Sequence, residues 1–273
     1  MTIEIHPLAT AEDYRAAEQL QRDVWGAEDI EILSHDLLIT VCKNGGVVLG
    51  AFDMEAGRRL AGFVFGFHGL DAGGRLKLCS HVAGVAREYQ NLNIGYRLKL
   101  AQREQVLGQG VELITWTFDP LESRNARFNF HKLGATCDTY LRNLYGEMRD
   151  TLNAGLPSDR FQVDWRIASP RVEAALRDSR PNRVPSVLQA IDARLLNPGG
   201  PAGVVAALAG PRLLIEIPAD FQALKARDAG LSRAWRQHTR ELFEAAFAAG
   251  YVADDLLVEG GRSYYLLEEK QVA

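Results

Sequence analysis

The sequence predicts a mixed α/β fold, and three observations carry that expectation. Strand-like and helix-like patterns alternate through the first half; an asparagine- and glycine-bearing bend joins a strand to a helix near residue 90; and a strand–helix–strand–strand order returns after residue 212.

The elements follow in order. Residues 2–8 alternate polar and apolar as a strand does, and Thr10 with Asp13 caps a helix bearing Tyr14, Ala17, Leu20 and Val24 at helical spacing. Ser34 starts a second helix through Val41, which Asn44-Gly45-Gly46 stops. Residues 47–54 and 60–67 are rich in β-branched and aromatic side chains and flank Glu55-Ala56-Gly57-Arg58, a hairpin turn composition. A strand over 76–86, a helix over 93–108, a strand over 111–118, a helix over 122–133 ended by Gly134 and a strand over 135–141 come next. Connections punctuated by Pro and Gly follow, and then a strand over 213–217, a helix over 232–249 and strands over 251–258 and 262–267. The expected domains are 1–150, an irregular and helical connection over 151–211, and a C-terminal subdomain over 212–273.

Composition narrows the function classes. The 273 residues bury a core without staples, and 31 basic against 35 acidic residues leave a net charge of -4, with no pull toward nucleic acid or anionic lipid. Cys42, Cys79 and Cys137 are odd in number and far apart, which suits a reducing, cytoplasmic setting. The most apolar stretch, 202–218, is broken by Gly210, Pro211, Arg212 and Glu216, so no membrane segment is expected. No metal-ligand spacing, phosphate loop, zinc-hydrolase motif or serine nucleophile elbow is present, and a homodimer stays open.

The chemistry concentrates in Gly84-Val85-Ala86-Arg87-Glu88-Tyr89-Gln90-Asn91-Leu92-Asn93-Ile94-Gly95-Tyr96, between a strand and a helix. A turn there aims main-chain N–H groups outward and adds the positive end of the helix, so a pyrophosphate can be held without a lysine. Asn91 and Asn93 tolerate left-handed backbone angles, and Gly95 permits close approach. The plainer alternative is a strand–helix turn whose glycine serves packing alone. His81 lies four residues before Val85 and is expected on the same strand face, where it is the leading candidate base; Glu88 and Glu31 are alternatives. Cys79 reads as a buried strand thiol rather than a nucleophile. Arg160, Arg166, Arg233 and Arg236 are candidates for gripping a carboxylate.

The segment Gln90-Asn91-Leu92-Asn93-Ile94-Gly95 resembles the Gln/Arg-x-x-Gly-x-Gly/Ala motif of the GNAT (GCN5-related N-acetyltransferase) superfamily, with Asn93 in place of the first glycine. Val85 with Tyr89-Gln90, Tyr96-Arg97-Leu98, and the stretch from Ala126 through Lys132-Leu133-Gly134-Ala135 are also similar, over roughly residues 2–145. The resemblance implies a GNAT-like core with a C-terminal α/β extension, and acetyl-CoA or another acyl-CoA as co-substrate. It implies cofactor contacts from Ala83, Gly84, Val85, Gln90, Asn91, Leu92, Asn93, Ile94, Gly95, Tyr96, Asn125 and Phe130. It gives the Val85 N–H as the donor to the thioester oxygen, beside a strand splay eased by Gly84. The family's proton-donating tyrosine matches Phe130, so Tyr145 stands as the candidate acid, with His131 and Tyr140 as alternatives. The implied activity moves an acetyl or succinyl group to a small-molecule amine such as an amino acid. A CoA-binding sensor without turnover is the competing class.

Overall fold

Thr10 and Asp13 show how closely local chemistry sets the first elements. In the computed structural model, which describes residues 1–26, 32–148, 154–177 and 192–270, strand β1 (Ile3–Pro7) leads into helix α1 (Ala11–Trp25) through a capping box. The Asp13 N–H donates to Thr10 Oγ1 at 3.2 Å, and Asp13 Oδ2 accepts from the N–H groups of Thr10 and Ala9. The same buried carboxylate receives Arg58 Nη1 at 2.6 Å and Nη2 at 3.2 Å. That bond secures the left-handed Arg58 (φ 63°) in the turn between β2 (Val47–Asp53) and β3 (Arg59–Leu70).

Helix α2 (His35–Lys43) starts at Ser34, whose hydroxyl accepts from the Leu37 N–H. Strand β4 (Leu76–Val85), helix α3 (Ile94–Gly108) and strand β5 (Leu113–Phe118) complete the first of two compact units, Met1–Trp116. Its strands run in the order β1-β2-β3-β4-β5. The first four are antiparallel neighbours, and β4 runs parallel to β5.

The second unit, Thr117–Ala273, carries α4 (Ser123–Ala126), β6 (Thr136–Leu141), β7 (Arg160–Arg166), α5 (Pro170–Arg177), β8 (Arg194–Leu195), β9 (Arg212–Ile217), α6 (Phe221–Arg227), α7 (Ala229–Ala248), β10 (Tyr251–Glu259) and β11 (Arg262–Glu269). Strands are ordered β7-β6-β10-β11-β9-β8, with β8 and β9 parallel. The segment expected to be irregular over 151–211 therefore holds β7. Phe161, Val163 and Trp165 point into the core in alternation with Gln162 and Asp164, the period of a strand. The helix expected over 122–133 is one α-turn that widens into a π-helical turn, Arg127–Lys132, where the Leu133 N–H reaches back five residues to the Phe128 carbonyl.

Chain order in the second unit repeats a theme. Strand β9, helices α6 and α7, and the antiparallel pair β10–β11 reproduce the strand–helix–strand–strand sequence of β5, α4, β6 and β7, and β8 stands parallel to β9 as β4 does to β5. The repeat lacks a counterpart of α3. Between β8 and β9 the chain packs on itself instead: a Cβ on Gly200 would lie 2.6 Å from the Trp235 ring, and one on Gly203 would lie 1.9 Å from the Pro198 carbonyl.

Asp13 gives the first unit a measurable acid sensitivity. Burial alone would raise its pKa, but the bonds from Arg58, Ala9 and Thr10 outweigh it and hold the carboxyl at about 2. A depressed carboxyl stabilises the fold above its unfolded value near 4 and loses that contribution as pH falls through about 2. Asp13→Asn should cost about 2 kcal/mol at pH 7 in urea unfolding and flatten the loss of stability between roughly pH 4 and 2.

Candidate functional site

Strands β4 and β5 pair at Leu78–Ile114 and Cys79–Thr115, and from Ser80 onward β4 pairs with β3 alone among the described residues. The Ala86 N–H donates to the Ala61 carbonyl at 2.9 Å. Because residues of an antiparallel ladder turn alternately toward and away from their partner, the N–H and C=O groups of Ala83 and Val85 turn away from β3, into the gap left by β5. Gly84 has a packing reason of its own, since a Cβ there would lie 2.7 Å from the Trp25 ring of α1. Trp25 therefore occupies one face of the sheet at this point, and the Val85 side chain, paired with Gly62 and close to Ile94, occupies the other with α3.

The bend after β4 is held from below. Tyr89, in a short turn Arg87–Tyr89, is buried and donates its hydroxyl to Asp53 Oδ2 at 3.0 Å. Asn91 (φ 66°) and Asn93 (φ 57°) both adopt the left-handed conformation. Asn93 thus meets at its position the backbone demand that a glycine otherwise meets, which explains its departure from the motif. The first bond of α3 is from the Arg97 N–H to the Asn93 carbonyl, so the N–H groups of Ile94, Gly95 and Tyr96 lie ahead of the intrahelical ladder. No side chain caps this end, and no acidic residue sits in the first turn. A Cβ on Gly95 would meet only Val85 Cγ2, at an ordinary 3.9 Å. Internal packing therefore does not require this glycine, and the plainer reading of the bend loses its support.

His81 corrects an expectation. Phe65 pairs with Val82 and Gly66 with Ser80, leaving His81 as the extra residue of a β-bulge. The bulge reverses the alternation, so Ser80 and Val85 share the α3 face. The His81 ring instead lies beside Phe65 and Phe67, at 6.2 and 6.1 Å, on the α1 side. Its solvent-facing imidazole is partly desolvated by these neighbours, and burial lowers its pKa from the ordinary 6.5. That shift favours the neutral, proton-accepting form of the ring. Glu88 is ion-paired with Arg59, beside a groove of about 350 Å³ between α1 and the ends of β3 and β4, and Glu31 lies outside the described residues.

Sequence reasoning missed Lys99. It lies on the buried stripe of α3, where its ammonium donates to Ser80 Oγ at 2.7 Å and Gln102 Oε1 at 3.3 Å, 4.1 Å from the centre of the Trp116 ring. Burial lowers its pKa to about 7. The signal was present in the spacing: Ile94, Leu98, Gln102 and Val106 recur every four residues, with the polar Gln102 inside the series and Lys99 next to it.

In the second unit, Phe130 is a core residue, 1% exposed, against Phe118 and Tyr265 at 6.0 and 5.8 Å. The wide turn of Arg127–Lys132 carries it inward, so the implied cofactor contact does not hold for Phe130. Asn125 is exposed on α4. Tyr145 is half exposed, its hydroxyl sharing a 2.8 Å hydrogen bond with Thr117 Oγ1. Tyr140 donates to Asp159 Oδ2 at 2.7 Å, and burial raises its pKa far beyond use as an acid at neutral pH. His131 pairs with Asp255 at 3.2 Å. The arginines expected to grip an external carboxylate are largely engaged within the unit. Arg236 binds Asp119, Arg160 lies 3.9 Å from the same carboxylate, and Arg166 stands 3.5 Å from Asp164, while Arg233 is exposed.

Among the described residues no helix is long and apolar enough to cross a membrane, and no group of metal-ligating side chains converges. No protein-family model and no curated protein matches the sequence. Solved structures do. A chain of the NatC complex bound to Gag peptide and CoA is similar at a TM-score of 0.50 and 14% identity, over 61% of this chain and 99% of that one. Arabidopsis thaliana NAA60 in complex with acetyl-CoA gives 0.49 and 17%, over 60% and 99%. The ribosomal-protein-S18-alanine N-acetyltransferase from Escherichia coli gives 0.48 and 16%, over 62% and 96%. The chain has the acyl-CoA N-acyltransferase fold of the GNAT superfamily, with further strands and helices toward its C-terminus.

Proposed function

We propose that the protein is an acyl-CoA-dependent N-acyltransferase that moves an acetyl or succinyl group to the amine of a small molecule such as an amino acid. The observation that carries this reading is the loss of pairing between β4 and β5 after Cys79–Thr115 on a strand whose closing bend feeds the uncapped start of α3. The Gln90 N–H is taken by the Arg87 carbonyl at 3.2 Å, so the main-chain N–H groups of Ile94, Gly95 and Tyr96 would hold the pyrophosphate of CoA, and the outward-turned groups of Ala83 and Val85 would pair with its pantetheine arm. A fixed N–H of that pair also stabilises the oxygen on which negative charge develops, with no cost of reorganisation.

The reaction balances as a direct displacement. The amine nitrogen bonds to the thioester carbon, the carbon–sulfur bond breaks, and CoA leaves with the electron pair and a proton. An ammonium of pKa about 10 first loses a proton. His81 serves that step from the α1 face, while the start of α3 lies on the opposite one, so carrier and acceptor meet through the gap from two sides. One observation favours a CoA-binding sensor instead: Phe130 cannot donate a proton to the departing sulfur.

Following free thiol while acetyl-CoA or succinyl-CoA is mixed with a panel of amines decides between the two. Thiol release that depends on an acceptor supports the transferase; stabilisation by CoA without release from any acceptor supports the sensor. Gly95→Asp should keep the fold, since the new Cβ has room and an acid suits a helix start, yet weaken CoA at least about 10-fold in calorimetry by opposing the pyrophosphate. His81→Ala should lower kcat about 100-fold. It should also remove the acidic limb of the kcat–pH profile, which in the unaltered protein lies below the ordinary imidazole value of 6.5.

A further inference from the structure

The buried stripe of α3 holds a cation without an anion. Lys99 is 5% exposed, its partners Ser80, Gln102 and Trp116 are all neutral, and no carboxylate pairs with it among the described residues. The other titratable side chains of β4 beside this point, Cys79 and His81, turn to the opposite face with Phe67 and Phe65. A buried ammonium in such company is costly to keep charged.

A donor beside it is unmet. Gln102 is fully buried; its Oε1 accepts from both Ser80 Oγ and Lys99, which leaves Nε2 with no acceptor. Gly66 of β3 borders that atom, and a Cβ there would lie 3.2 Å from it. The cluster is rich in donors and lacks an anionic acceptor. Its place is specific: Ser80 is the first residue of β4 beyond the Cys79–Thr115 pair, and Trp116 is the first of β5 beyond it. The cluster therefore stands at the closed end of the gap, on the α3 side.

We propose that Lys99 and Gln102 bind the terminal carboxylate of a dicarboxylic acyl group, so that the preferred donor is an ω-carboxyacyl-CoA such as succinyl-CoA rather than acetyl-CoA. This rests on the acyl transfer proposed for the same gap. A carboxylate reaching its closed end accepts a charge-assisted bond from the ammonium and a second bond from the Gln102 amide. An acetyl methyl leaves the ammonium without an anion and Gln102 Nε2 without an acceptor, and uncompensated buried polar groups are how a site rejects the shorter group.

The test is calorimetric titration of the full chain with CoA, acetyl-CoA and succinyl-CoA at pH 8, in two buffers of different ionisation enthalpy. Succinyl-CoA should bind about 10- to 100-fold tighter than acetyl-CoA. Its binding should also take up a proton, because the carboxylate restores charge to an amine that burial holds at about 7. Lys99→Met should bring the two thioesters within about 3-fold of each other and abolish the uptake. Gln102→Leu should reduce the preference in the same direction and replaces the first variant if that one does not fold. Equal affinities in the unaltered protein, or a preference that survives Lys99→Met, overturn the assignment while leaving acyl transfer standing. Failure of CoA itself to bind overturns acyl transfer, and this assignment with it.

Discussion

A strand that leaves its neighbour must do something with its main-chain groups, and β4 is organised around that constraint. Past the Cys79–Thr115 pair, the N–H and C=O groups of Ala83 and Val85 turn away from β3 and meet no paired strand on their other side among the described residues. Ala83 is exposed and Val85 half-buried, so these groups are open to a ligand arriving from solvent. A ligand that brings its own amides, such as a pantetheine arm, answers the need in the way a neighbouring strand does. The same strand then delivers its bend to the start of α3, where three more N–H groups wait. Two sets of open donors, on β4 and at the start of α3, thus stand at the two ends of the bend, one for the reacting end of a carrier and one for its phosphates.

Around that run the structure spends its side chains on holding the backbone rather than on contacting a ligand. Tyr89 ties the bend to Asp53, Arg59 ties it to Glu88, and Trp25 packs on Gly84 from the other face. The second unit follows the opposite rule and closes its polar groups on each other. Asp119 with Arg236 and Asp159 with Arg240 and Tyr140 form pairs that leave little to offer a ligand. Strand β8 is followed, before β9, by a loop packed on Trp235 instead of a free helix start. The chain order of a half-core is repeated there, and its binding features are not.

How far the sequence could be read depended on whether a signal was local. Caps, turns and alternation are local, and the positions of α1, α2, the β2–β3 hairpin, β4, α3 and the C-terminal strands follow from them. So does the left-handed backbone at Asn91 and Asn93, which only a few residue types accept. The face on which His81 lies was not legible, because one bulged residue reverses the alternation and nothing in Ser80-His81-Val82 announces a bulge. The burial of Phe130 depends on a π-helical turn that its sequence does not mark. Strand β7 was legible and was masked only by the prolines and glycines around it. Lys99 was the reverse case: a charged residue on an apolar stripe is easily passed over as a solvated one until the packing shows what surrounds it.

The central claim concerns main-chain N–H groups, and they can be observed directly. Amide hydrogen exchange should be measured residue by residue with and without CoA. The account predicts that the N–H groups of Ala83, Val85, Ile94, Gly95 and Tyr96 become protected together when CoA is added. CoA binding that leaves those five amides exchanging as before, with protection arising elsewhere, would contradict it.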